Sequence, residues 1–136
     1  MSLNKLLLAV LLFLPASWTK VSKMNAAIDL AAESYAKAEY EASITHHMAI
    51  LEEFGYSGQE LIFNLGLSNQ YAEKVDEALG FYDQSSQSPD KILASFAYNQ
   101  GGVIQGNKKE YEVALSKFKS ALIKDPLNEV ARHNYE

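Results

Sequence analysis

The sequence predicts an all-α fold: three antiparallel helix pairs stacked side by side, then the start of a fourth pair. Three observations predict it. The chain repeats itself with a period of 35 residues, apolar residues within each unit fall at helical spacing, and helix breakers fall between units. A single helix pair cannot hide its own apolar face, so neighbouring pairs must cover one another.

The period is carried by named residues. Phe63-Asn64, Tyr98-Asn99 and His133-Asn134 recur at steps of 35, with Ile28-Asp29 one step earlier. Leu30-Ala31, Leu65-Gly66 and Gln100-Gly101 follow them. In the second half of each unit stand the small residues Ser43, Ala78 and Ala114. Tyr40, Val75 or Tyr111 lies three residues before each, and His47, Tyr82 or Phe118 four residues after.

Taken in order, helices are predicted over 24–37 and 40–53, then 59–72 and 75–87, then 91–107 and 110–124. The third helix carries Ile62, Leu65 and Asn69 or Tyr71 on one face. The sixth carries Tyr111, Ala114, Leu115, Phe118, Ala121 and Leu122. Gly55 and Gly58, Ser88-Pro89 and Asp125-Pro126 end the units. Antiparallel helices approach closely only over short side chains, so Gly66 and Gly101 are expected to face Ala78 and Ala114. Tyr82 and Phe118 would then fill the adjacent space. Two irregularities stand out. The third unit holds one extra residue, placed in 106–110, and Ser85-Ser86 make the end of the fourth helix polar and looser.

Residues 1–23 read as an address. Met1–Lys5 ends in a positive charge, Leu6–Leu14 is an unbroken apolar run, and Pro15-Ala16-Ser17-Trp18 follows. Leu6–Trp18 is shorter than the ~20 residues a bilayer span needs. No small-x-small pair marks a cleavage site. A cleaved signal, a retained membrane anchor and a helix packed on the body all remain open, the first two placing the protein outside the cytoplasm or tethered at the inner membrane.

Composition excludes several functions. Cysteine is absent, which removes disulfides, thiolate metal sites, a cysteine nucleophile and a lipidated cysteine. Residues 1–23 carry Lys5, Lys20 and Lys23 and no acid. The remainder sums to −8 and holds one arginine, Arg132. Such a body is a poor partner for a phosphate backbone, so no nucleic acid is expected. His46 and His47 are adjacent, hence about 100° apart on a helix, and cannot share a metal. His47 is expected to be a packed or half-exposed histidine. The run Gly101-Gly102 to Gly106 lacks the Lys-Ser/Thr of a phosphate loop, and no serine sits in a Gly-x-Ser-x-Gly turn. No catalytic residue, metal or cofactor is expected.

The order aromatic-Asn-Leu-Gly, then Tyr-x-x-Ala, an aromatic, Ala and Asp-Pro resembles the tetratricopeptide (TPR) repeat. Ile62, Leu65, Gly66, Ala78, Tyr82 and Ser85 carry it in unit two. Gly101, Ile104, Tyr111, Ala114, Phe118, Ala121 and Pro126 carry it in unit three, and Leu30, Ala31, Tyr40, Ser43 and Ile50 in unit one. Asn69 and Gln100 depart from it, standing where apolar residues are usual. The resemblance covers 24–136, with repeats at about 24–58, 59–90 and 91–126 and a partial one at 127–136. It implies a right-handed superhelix whose first helices line a concave groove. More narrowly, Glu60–Gly66 and the ending Lys124–Glu136 resemble the TPR proteins of bacterial aerotolerance (Bat) operons. Those are envelope-associated and work with von Willebrand A-domain proteins and an AAA ATPase.

The resemblance implies a protein-binding scaffold, with groove positions Tyr35, Phe63, Asn64, Leu67, Gln70, Tyr71, Tyr98, Asn99 and Gln105. Ile28 and Ala32 belong to the same lining. The lysines of a carboxylate clamp are missing, because Ile28, Phe63 and Tyr98 occupy their places. An apolar extended peptide or amphipathic helix is therefore the expected ligand. Tyr35 and Tyr71 could equally pack between repeats, and Asn64, Asn99 and Asn134 could bond only to nearby loop backbone. The partial fourth repeat exposes Val130 and Tyr135, which suggests self-association as the alternative function.

Overall fold

A computed structural model describes residues 16–136, with side chains from Trp18 onward. The basic start and apolar run expected as a signal or anchor lie outside the described residues. Those described form helices and turns, with no strand among them. The helices are α1 (Ala16–Ala36), α2 (Tyr40–Phe54), α3 (Gln59–Tyr71), α4 (Val75–Ser85), α5 (Lys91–Asn107), α6 (Tyr111–Lys124) and α7 (Glu129–Tyr135). The first helix starts earlier than expected, so position 24 falls inside it.

Contacts follow chain order. α1 packs most closely on α2, α3 on α4 and α5 on α6, while α2–α3 and α4–α5 join the pairs. The first helices of successive pairs also form a layer. α3 meets α5 and α5 meets α7.

Local causes are visible at each boundary. Asp90 Oδ1 accepts from the amides of Ile92 and Leu93, and Asn128 Oδ1 accepts from Ala131, which caps α5 and α7. Each hairpin turns through one residue in the left-handed region: Ala38 (φ 60°), Glu73 (φ 62°) and Lys109 (φ 65°). The amides of Ala38 and Glu39 return to the carbonyls of Tyr35 and Ser34. Glu73 and Lys74 bond Gln70 and Asn69 in the same way, and Lys109 and Glu110 bond Gly106 and Gln105.

These bonds set the register. The three turns are built alike, so the extra residue of unit three is not in 106–110 but upstream of the α5 turn. The first helix of that unit is consequently offset by 36 from α3, not 35. The glycine expectation changes with it. A Cβ on Gly66 would lie 2.6 Å from the Tyr82 ring, and one on Gly102 would lie 2.5 Å from the Phe118 ring. Gly66 thus seats Tyr82 most closely, and Gly102 takes the role expected of Gly101. Beside Gly101 lies the aliphatic stem of Lys117, 3.2 Å from where its Cβ would be.

The core runs the length of the stack. Ala31, Ile50 and Leu61 are buried together with Met24, Ala27 and Leu51 against them. Ala78, Tyr82 and Ile104 form the next cluster, with Phe63, Leu67, Val75 and Leu79 packed on it. Ile50, Leu65 and Tyr82 have no exposed surface; each stabilises the fold by roughly 1.5–3 kcal/mol on burial. Ser85 and Ser86 are buried as well, so the end of α4 is polar yet enclosed. The departure at Asn69 is absorbed locally, its Nδ2 donating to the Leu65 carbonyl at 2.8 Å.

Candidate functional site

The site follows from how each pair seats its second helix. Ala31, Gly66 and Gly102 precede His47, Tyr82 and Phe118 by the same sixteen residues. In the second pair glycine lets the Tyr82 ring lie flat on α3. The ring then reaches Phe63, 5.6 Å between centroids, and its hydroxyl donates to Gln70 Oε1 at 2.7 Å. In the first pair Ala31 adds a methyl, and the smaller His47 stands in place of tyrosine. Ile28 replaces Phe63, and Tyr35 replaces Gln70. His47 is the smaller ring at the position from which Tyr82 reaches across in the second pair.

A cavity of about 220 Å³ lies between α1 and α3, lined by Ile28, Ala32, Tyr35, His47, Asn64 and Leu67. His47 forms its buried wall at 5% exposure. Its Nδ1 lies 2.9 Å from the Ser43 carbonyl and 3.3 Å from Ser43 Oγ. Ser43 Oγ in turn donates to the Ala31 carbonyl at 3.0 Å and lies 3.1 Å from Ser68 Oγ. Burial pushes the His47 pKa below the ordinary histidine value, with nearby His46 acting in the same direction; the bond to the Ser43 backbone opposes them. Asn64 and Ala32 are exposed at the cavity mouth.

No protein-family model and no curated protein matches the sequence. Solved structures do match. The TPR domain of Sgt2 from Aspergillus fumigatus aligns with a TM-score of 0.71 over 83% of this chain and 74% of that one, at 11% identity. The Arabidopsis OM64 TPR domain aligns at 0.72 over 85% and 93%, at 14% identity. PcrH in complex with the chaperone binding region of PopB aligns at 0.71 over 83% and 92%, at 13% identity.

The fold is that of a TPR domain. Its first helices, α1, α3, α5 and α7, form the layer in which the groove was expected. Of the nine groove residues named from sequence, the cavity in this TPR layer brings together Tyr35, Asn64 and Leu67. The other six fall elsewhere. Phe63 packs into the core against Tyr82, and Gln70 is held by the Tyr82 hydroxyl. Tyr71 projects at the turn end of α3, stacked on Tyr40 at 5.3 Å and edge-on to Tyr35 at 6.0 Å. Desolvation raises the Tyr35 pKa first, and the neighbouring Tyr71 and Tyr40 add to it. Asn99 is buried and accepts from Asn134 Nδ2 at 2.9 Å, a side-chain bridge between α5 and α7 and not a loop contact. Tyr98 is half-buried, and the Gln105 Oε1 is buried with no hydrogen-bond partner among the described residues.

His47 is the site residue that sequence reasoning missed. It was expected to be a packed histidine, and it is packed, but it also forms a cavity wall. The available signal was the pairing of Ala31 with a small ring where the other TPR units pair glycine with a large one. Among the described residues no group of three or more His, Asp or Glu could hold a metal ion. No described helix is long and apolar enough to cross a membrane.

Proposed function

We propose that this chain is a protein–protein interaction scaffold of the bacterial cell envelope, and not an enzyme, holding a partner's peptide or helix along the layer of first helices. One observation carries the proposal: the cavity between α1 and α3 is mainly apolar, half-open and rimmed by the exposed amide of Asn64. Apolar anchors give such an interface its affinity, and rim amides fix a ligand's backbone. The solved complexes of PcrH with a region of PopB and of CopN with Scc3, the latter 18% identical at a TM-score of 0.70, support protein binding as a use of the fold.

Co-purification from native membranes tests the groove. Ala32→Arg with Asn64→Arg places two charges at the mouth without touching the core, so partner recovery should collapse while circular dichroism stays unchanged. Undiminished recovery would remove the groove from the proposal. The envelope assignment rests on the basic start and apolar run of 1–23. It predicts that residues 1–30 export a fused alkaline phosphatase; an inactive, cytoplasmic fusion rejects it. The resemblance to aerotolerance-operon proteins makes a von Willebrand A-domain envelope protein the first partner to assay.

A second reading is self-association. Leu127, Val130 and Tyr135 are exposed on and beside α7, as are Tyr111 and Leu115 on α6. In the second pair the equivalent Val75 and Leu79 are partly buried by the pair that follows. Light scattering decides this, since a monomer at millimolar concentration eliminates it.

A further inference from the structure

We propose that the cavity between α1 and α3 receives one phenol, the side chain of a tyrosine in the partner segment, with its ring against Ile28, Ala32 and Leu67 and its hydroxyl donating to Nε2 of His47. The proposal rests on the groove being the binding face and names what enters it.

Size comes first. Cofactor and small-molecule sites usually occupy ~300–1,000 Å³. At about 220 Å³, this cavity suits a single side chain. Its walls are aliphatic at Ile28, Ala32 and Leu67, and none of its lining residues is Asp, Glu, Lys or Arg. An ionic anchor would lose its hydration there without a counter-charge.

The polar group then selects the occupant. A backbone carbonyl only accepts, so the nitrogen 2.9 Å from the Ser43 carbonyl, Nδ1, carries the proton. In the neutral ring Nε2 is therefore an acceptor. Among the described residues it makes no hydrogen bond, and its residue lines the cavity. An apolar ring bearing one donor satisfies both features. A phenylalanine would fill the space and leave Nε2 desolvated and unpaired, which costs binding. Burial keeps His47 neutral near pH 7, as the acceptor role requires.

The molecule contains the same arrangement filled from within. In the second pair the Tyr82 ring lies between Gly66 and Phe63 with its hydroxyl on an uncharged acceptor, Gln70 Oε1. In the first pair His47 stands at the Tyr82 position, an acceptor beside an open cavity. A tyrosine from outside would restore what the second pair supplies for itself.

The test uses p-cresol and toluene as probes, which differ by the one hydroxyl. Each is titrated into the full chain while NMR follows the Ile28 and Leu67 methyl groups and the His47 ring Cε1–H. Saturable shifts at all three are expected, with p-cresol binding roughly 3- to 10-fold tighter, the worth of one neutral hydrogen bond. His47→Leu should bring the two probes level. Should that variant unfold, Ala32→Phe, which blocks the mouth from an exposed position, must abolish both. Absence of saturable shifts, or toluene matching p-cresol on the unmodified chain, overturns the proposal. If partner capture still fails with Ala32→Arg and Asn64→Arg while p-cresol does not bind, the groove stands and the tyrosine anchor falls. If p-cresol binds and capture is unaffected, the scaffold reading fails instead.

Discussion

In the second helix pair a phenol fills the space that the first pair leaves open. The two pairs share a left-handed turn residue and a buried small residue at the start of each second helix, Ser43 or Ala78. They differ where Ala31, His47, Ile28 and Tyr35 stand in place of Gly66, Tyr82, Phe63 and Gln70. A Cβ on Gly66 would meet the Tyr82 ring, whereas Ala31 carries that Cβ beside the smaller His47. The third pair, Gly102 with Phe118, repeats the second. The first pair is also the more polar, since Ser43, His47 and Ser68 form a buried hydrogen-bonded cluster where the second has Ala78, Tyr82 and Ile104. Close packing makes one methyl decisive, because a ring cannot yield the few tenths of an ångström that a flexible chain can.

The largest expected effect comes from emptying the filled pair. Tyr82→Ala should cost about 3–5 kcal/mol, because it opens a cavity and strands Gln70. Urea unfolding should show His47→Ala costing less than half as much. Equal losses would mean that the two cores are not different in kind. Next, His47→Tyr should destabilise by about 1–3 kcal/mol through overpacking against Ala31. Adding Ala31→Gly should relieve it, giving a coupling energy of at least about 1 kcal/mol in the double-mutant cycle. Additive losses would show that the Ala31–His47 pairing is not what sets the first pair apart.

Smaller effects probe what the pairs share. Ala38→Gly and Glu73→Gly should each stabilise by about 0.5 kcal/mol. Relief of the left-handed backbone there exceeds the added entropy of the unfolded chain. A gain in one turn and not the other would separate turns that are built alike. The gentlest change is with pH. His47 has its pKa lowered in the folded state, so its contribution is complete above the unfolded value of 6.5 and is lost as pH falls below it. Urea midpoints should therefore decline from pH 7.5 to 5.5, with a shallower decline in His47→Leu. Tyr82, whose hydroxyl burial pushes upward, adds nothing in that window.

Much of the scaffold was legible. The boundaries of five helices fall within two residues of those expected, because Gly55, Gly58, Pro89 and Pro126 interrupt an otherwise regular spacing. The groove was not. Phe63 and Gln70 lie on the expected helices yet are held by Tyr82, a residue of the neighbouring helix. The shift from 35 to 36 between the second and third units escaped notice because Phe63-Asn64 and Tyr98-Asn99 look alike. One residue is about 100° on a helix. That rotation buries Asn99 against Asn134, whereas Asn64 faces solvent.

The sequence alone determined how many helices form, where they break and which neighbours they must cover, since periodicity and breakers act over a few residues. The tertiary structure alone decided where space is left over. A void is the difference between the volume that facing helices enclose and the volume their side chains fill. For α1 and α3 that difference depends on Ile28, Ala32, His47 and Leu67 together, residues that meet only when the pairs stack.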